Sequence, residues 1–194
     1  VATLHLAQDA EADKLLSKDP LALLIGMVLD QQIPLEWAFK GPFTLKQRLG
    51  VAKLDAAELA AMDPDELAQA FATPPALHRF PTANAKRVQE LCRIVADDYA
   101  NKADRVWKSA KTGAELLKNV KALPGFGEQK ARIFVALLGK QLGVQPPGWQ
   151  EAAGDFGLPG THMSVADITD AATLGRVRQY KQEKKKAAAQ AATG

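Results

Sequence analysis

The chain has 194 residues, of which 47% are hydrophobic, with a net charge of +3 and an isoelectric point near 9.0. That is enough apolar material for one substantial globular unit or two small lobes sharing a core, which excludes global disorder, and the mild basic excess permits nucleic-acid binding without establishing it. The single cysteine, Cys92, excludes an intramolecular disulfide and a cysteine-cluster metal site. The opening VATLHLAQDAEADK lacks the basic and apolar regions of a signal peptide, and the longest apolar run, Leu21 to Leu29, is too short to cross a bilayer. These features predict a soluble cytoplasmic protein, nucleoid-associated if bacterial, with no membrane partner.

In chain order, almost every periodic segment reads as helix. Asp19 caps a helix with Pro20 at its first position. The run LALLIGMVLDQQI is apolar on nearly every face, which predicts a central buried helix ended by Pro34. Asp63, Pro64 and Glu66 signal a second start, with Leu67 and Phe71 on one apolar side. In ANAKRVQELCRIVADDY, residues Val88, Leu91, Cys92, Val95 and Tyr99 share a face. Thr112 and Glu115 form a capping-box pattern before Leu116 and Leu117. The helical pattern breaks from Leu123 to Gly127 and resumes from Gln129 to Leu142, with Ala131, Val135, Leu138 and Leu142 as its buried stripe. The stretch VQPPGWQEAAGDFGLPGTHM, with three prolines and four glycines, suits a loop with a short helical turn around Trp149 to Ala153. Ser164 and Asp167 start a further turn. A last helix covers Ala171 to Ala189, its end KQEKKKAAAQAATG lacking an apolar stripe and expected to fray. No window shows sustained two-residue alternation, so the fold class is all-α.

LPGFG is too short for anything but a compact corner between two helices. Gly125 and Gly127 are expected to take backbone angles closed to other residues and to keep side chains off the backbone. The first-turn amides around Gly127 to Gln129 then point outward with partial positive charge, a nest suited to a phosphate, and Lys130 adds a charge beside it. Turns of this composition also join helices where no ligand binds. A dinucleotide fingerprint needs a third glycine and a preceding strand, and a nucleoside-triphosphate loop needs a Gly-Lys-Ser/Thr ending; neither is present.

LLKNVKALPGFGEQKARIFVALLG resembles the helix-hairpin-helix of the HhH-GPD DNA glycosylase superfamily, the base-excision enzymes that include the endonuclease III and 3-methyladenine glycosylase groups. LLIGMVLDQQIP is similar to that family's early buried helix ending in a glutamine motif. FPTANAKRVQELCRIV is similar to its second DNA-probing loop and following helix. The three stretches keep the family's order between Leu21 and Gly139.

The resemblance implies two helical lobes with a cleft between them. Residues 20–136 would form a central lobe ending in the helix-hairpin-helix, with the hairpin at 123–127. Residues 1–19 and 137–180 would form the second, and 181–194 a basic frayed tail. The partner it implies is double-stranded DNA holding a damaged or mispaired base, rotated into the cleft by a monomer. Leu123, Gly125, Gly127 and Gln129 would line a backbone-phosphate site, with Lys130 nearby and a monovalent sodium or potassium ion near Leu123 and Gly125. Gln32 matches the residue that fills the gap in the base stack. Its neighbour Gln31 reaches either the DNA or a nearby loop. Phe80 falls where the family has an apolar wedge, beside Arg79, and Lys86 and Arg87 follow within reach of phosphates.

Two departures bear on chemistry. Where bifunctional members carry a lysine that attacks the sugar, this chain has Gln129. Lys130 lies one step on, roughly 100° around the helix, and is expected to point elsewhere, so no β-lyase activity is expected. The family's catalytic aspartate falls roughly eighteen to twenty residues further on, which here reaches Pro147, Gly148 and Trp149. The nearest carboxylates are Asp155, preferred, and Glu151; Asp30 is a third near the expected cleft. Trp149 either stacks on a flipped base or anchors its loop. The chain lacks the four cysteines of an iron-sulfur cluster, so none is expected, nor any other cofactor. The resulting expectation is a monofunctional DNA N-glycosylase, the alternative a lesion-sensing DNA-binding protein that kept the hairpin and lost the acid.

Overall fold

A computed structural model describes residues 3–194. Residues 1 and 2, which open both the stretch VATLHLAQDAEADK and the expected second lobe, lie outside the described residues. The described chain is all helical, with no strand. Among the described residues no helix is long and apolar enough to cross a membrane.

The helices are α1 (Ala10–Lys18), α2 (Pro20–Leu29), α3 (Leu35–Leu49), α4 (Ala56–Ala61), α5 (Pro64–Ala72) and α6 (Pro81–Asp98). They continue as α7 (Arg105–Lys108), α8 (Gly113–Lys121), α9 (Glu128–Gln141), α10 (Trp149–Ala153) and α11 (Ala171–Ala192). Two 3-10 turns, Gly154–Gly157 and Val165–Asp167, fill the stretch before α11.

Side-chain caps set most of these starts. Asp9, Asp19, Asp55, Asp63, Thr112 and Asp170 each accept from main-chain N–H groups of the first turn of α1, α2, α4, α5, α8 and α11. Each such cap is worth about 1 kcal/mol. All residues from Leu21 to Leu29 of α2 are buried, which makes it the axis on which α1, α3 and α6 pack. Helices α4 and α5 lie on α6. In the second half α9 is the hub for α8, α10 and both 3-10 turns, and α11 packs on the second turn. Helix α1 packs on α2 and α3.

One expectation about a helix end changes. Helix α2 stops at Leu29, well before Pro34: the Asp30 N–H still donates to the Gly26 carbonyl at 3.0 Å, but Gln32 takes a left-handed φ of 61°. The polar residues Gln31 and Gln32 follow an apolar helix and turn outward to keep their side chains solvated, while Asp30 stays half-buried. The basic tail is helical. Helix α11 runs unbroken to Ala192 because a capping box between Asp170 and Thr173 starts it and its Ala, Lys and Gln residues propagate it without burial.

Candidate functional site

The corner between α8 and α9 has a buried underside and an open top. Leu123 and Phe126 are buried, with the Phe126 ring 5.7 Å from Phe134, which in turn stands 5.7 Å from Trp107. The Phe126 N–H donates to the Leu123 carbonyl at 3.2 Å and closes the turn. Gly125 has φ of 82°, so its dihedral favours glycine, and a Cβ there would also displace the Arg87 side chain, whose Cδ would lie at 2.9 Å. Gly127 differs from expectation: its φ of −73° is open to any residue, and a Cβ would meet nothing within 4 Å. What the missing side chain keeps clear is therefore the space above the turn. Gly127, Glu128 and Gln129 are exposed and no side chain caps α9, so its first-turn amides face outward with partial positive charge.

A second wall is built from two loops held by one ring. His78 is buried between them. Its Nε2 lies 2.9 Å from the Gln31 carbonyl, and its Nδ1 accepts from the Phe80 N–H at 2.9 Å, with the Asn84 amide nitrogen at the same distance. An Nδ1 that accepts leaves the proton on Nε2, so this is a neutral imidazole donating to Gln31. Burial holds His78 below the usual imidazole range against the hydrogen bond it donates to the Gln31 carbonyl, with Arg87 and Lys130 adding to the lowering. The side chains of Gln31 and Gln32 are left exposed, and Phe80 is 47% exposed with the Arg79 guanidinium 5.6 Å from its ring centroid. Gln31, Gln32, Phe80 and Arg87 border a small slot of about 200 Å³. Lys86 is exposed on the other side of α6, beside α5.

Between these walls lies a cavity of about 590 Å³. The end of α2 supplies Asp30 to Ile33, the corner and α9 supply Gly125 and Gly127 to Lys130, and the far side carries Phe156, Met163, Tyr180, Lys181 and Lys184. Lys130 does line it, contrary to the expectation that one step along the helix turns it away. Its amine reaches across to the Val28 carbonyl at 3.4 Å, because the open last turn of α2 offers unpaired carbonyls at the cavity edge. Burial pulls Lys130 down to about 8, Asp30 opposes this and Arg87 adds to it. Burial likewise pushes the Asp30 carboxyl up, against the attraction of Lys181 and then Lys130. Glu128, the other lining acid, is exposed and ion-paired to Lys121 and Arg132.

Glu151 and Asp155 are both exposed and neither lines the cavity. Trp149 is also outside it: its indole lies on α9, so that a Cβ on Gly139 would be 2.3 Å from Trp149 Cε3. Of the two readings of this tryptophan, the geometry is that of an anchor. Among the described residues no three His, Cys, Asp or Glu side chains gather to hold a metal ion.

A scan against family models matches residues 25–193 to the HhH-GPD superfamily of base excision DNA repair proteins. The chain belongs to that superfamily. No curated protein and no solved structure matches it. The superfamily match extends through the corner, the α2 end and α11, so every wall of the cavity lies inside it. In this HhH-GPD protein the site residues missed from sequence are Phe156, Met163, Tyr180, Lys181 and Lys184. One signal for the last two was available: Leu174, Val177, Lys181 and Lys184 continue a single helical stripe.

Proposed function

We propose that this protein is a monofunctional DNA N-glycosylase in which Asp30 is the working carboxylate. The observation that carries this reading is Asp30 itself, the one cavity-lining acid not ion-paired by surface partners, set between the phosphate-suited corner and the Gln32–Phe80 wall. Duplex DNA would lay a backbone phosphate on the α9 amides, with Leu123, Gly125, Gly127 and Gln129 shaping the turn. Arg79 and Arg87 would neutralise neighbouring phosphates. Gln32 and the exposed Phe80 would occupy the gap and kink the duplex, and the rotated nucleotide would enter the cavity against Phe156 and Tyr180.

The Asp30 carboxylate would then face the sugar as the base leaves. It can stabilise the cation developing at C1′ and accept a proton from the attacking water. Burial raises the Asp30 carboxyl, which makes its carboxylate a stronger base than an exposed one, and Lys181 and then Lys130 oppose that rise. A monovalent cation at the corner is compatible with the turn, since the Leu123 carbonyl accepts from Phe126 and retains a second lone pair. The protein would act on damaged or mispaired duplex DNA as a cytoplasmic monomer.

Duplexes with a single uracil, alkylated purine, oxidised guanine or hypoxanthine test this. Wild type should give alkali-labile sites on at least one; Asp30→Asn should slow their formation by about 100-fold or more, while D155A and E151A should retain the product. Release undiminished in D30N removes Asp30 from the chemistry. Tight abasic-duplex binding with no release from any lesion selects the lesion-sensing alternative.

A second reading is favoured by Lys130, whose amine lines the cavity and is lowered to about 8. A lysine so shifted is partly neutral near physiological pH and could attack C1′ as an amine. Borohydride trapping separates the two: a protein–DNA adduct lost in K130Q supports attack by lysine, and none is expected for the monofunctional enzyme.

A further inference from the structure

Helix α11 changes character along one face. Its inward stripe begins with Leu174 and Val177, both buried against the core, and continues with Lys181 and Lys184, which line the cavity. Tyr180 borders the same cavity and carries the Lys184 ammonium 5.9 Å over its ring. The helix is fixed where the change occurs: Arg178 forms an ion pair with Glu36 of α3, across the chain from α11's own packing partners. Lys185 and Lys186 sit outside the cavity lining.

A stripe that turns from aliphatic to cationic as it crosses a cavity needs an anionic partner there. The protein supplies too little. Three lysines, Lys130, Lys181 and Lys184, face the space against Asp30 and Glu128, and Glu128 is already engaged by Lys121 and Arg132. The uncapped first turn of α9 stands on the opposite side with further positive potential.

We infer that α11 is a second phosphate-gripping jaw, in which Lys181 and Lys184 hold the backbone of the rotated nucleotide across the cavity from the helix-hairpin-helix corner. The inference rests on the reading of duplex DNA as partner but not on base release. The corner positions the duplex from one side; the two lysines fix the displaced sugar-phosphate from the other and set its distance from Asp30. Because they act only on a nucleotide already in the cavity, they add affinity for lesion duplex rather than for DNA at large.

The test is fluorescence anisotropy with the full chain and two labelled duplexes, one with a tetrahydrofuran abasic nucleotide and one intact, across a salt series. K181Q/K184Q should lose about tenfold or more in affinity for the abasic duplex, and its salt slope should fall by about two. K185Q/K186Q removes the same charge from outside the cavity and should change either affinity by no more than about threefold. K181R/K184R should bind as wild type, and circular dichroism should show helix content unchanged in all three. Equal losses in the two Gln pairs would make the effect diffuse charge and overturn the jaw, as would an unaltered K181Q/K184Q or a wild type that binds neither duplex. A wild type that binds the abasic duplex tightly, loses that in K181Q/K184Q and yet releases no base would keep the jaw and discard the glycosylase reading.

Discussion

Helix starts on the scaffold and helix starts around the cavity are built differently. Asp9, Asp19, Asp55, Asp63, Thr112 and Asp170 close the first turns of α1, α2, α4, α5, α8 and α11 with their own oxygens. Helices α3, α6 and α9, which follow the Gln32 loop, Phe80 and the glycine corner, begin at Pro34, Phe80 and Gly127 with no side-chain cap; the short α7 and α10, away from these loops, also lack one. A capped turn has spent its hydrogen-bonding capacity on itself. An uncapped one holds it for something outside the chain, at a cost of about 1 kcal/mol in stability for each cap forgone.

The sharpest way to break this comparison is at the chemistry between the open starts. Asp30→Asn should lower single-turnover base release by about 100-fold or more without loss of thermal stability, since burial already disfavours the charged form. Next comes the corner. Gly127→Ala meets no neighbour and has a permitted φ, so its melting temperature should match wild type while affinity for lesion duplex falls about tenfold. Gly125→Ala, at φ of 82°, should lose both affinity and about 1–2 kcal/mol of stability in denaturant titrations.

A scaffold start should show the reverse. Asp63→Ala removes bonds to the Asp65 and Glu66 amides and should cost about 1 kcal/mol of stability with DNA affinity untouched. If D63A and G127A shifted the same observable, the distinction between the two kinds of start would be gone. The smallest effect concerns His78. Its native pKa is depressed, so the unfolded chain binds the extra proton: the stability of the neutral ring is complete above the ordinary value of 6.5 and declines as pH falls below it. Urea titrations of wild type and His78→Gln should therefore converge on acidification, and parallel curves would contradict the neutral clasp.

Local chemistry made much of the fold legible. The Asp19–Pro20 and Asp63–Pro64 starts, the Thr112 cap and even the short turn Trp149–Ala153 stand where the sequence puts them. Helix α3 announces itself poorly because Gly41 and Pro42 interrupt its middle; both are buried, and a Cβ on Gly41 would meet Leu29 Cδ1 at 2.5 Å. The corner was readable because glycine spacing is a backbone signal. The cavity was not, since Asp30, Lys130, Phe156 and Lys181 come from four separated segments whose meeting is decided by packing. Counting residues from Gln129 pointed toward Glu151 and Asp155, both of which the chain turns out to solvent.

Gly139 lies beneath the Trp149 indole with less clearance than a single carbon needs, and Gly113 leaves equally little under the Gly148 carbonyl. These two contacts are the hinge pins of the segment that brings Phe156 to the far wall. A substitution as slight as alanine at either would lever that segment off its bed and spoil the chamber, leaving every side chain inside it intact. Loss of function in this protein can therefore arise on the back of α9, at positions no inspection of the chamber itself would flag.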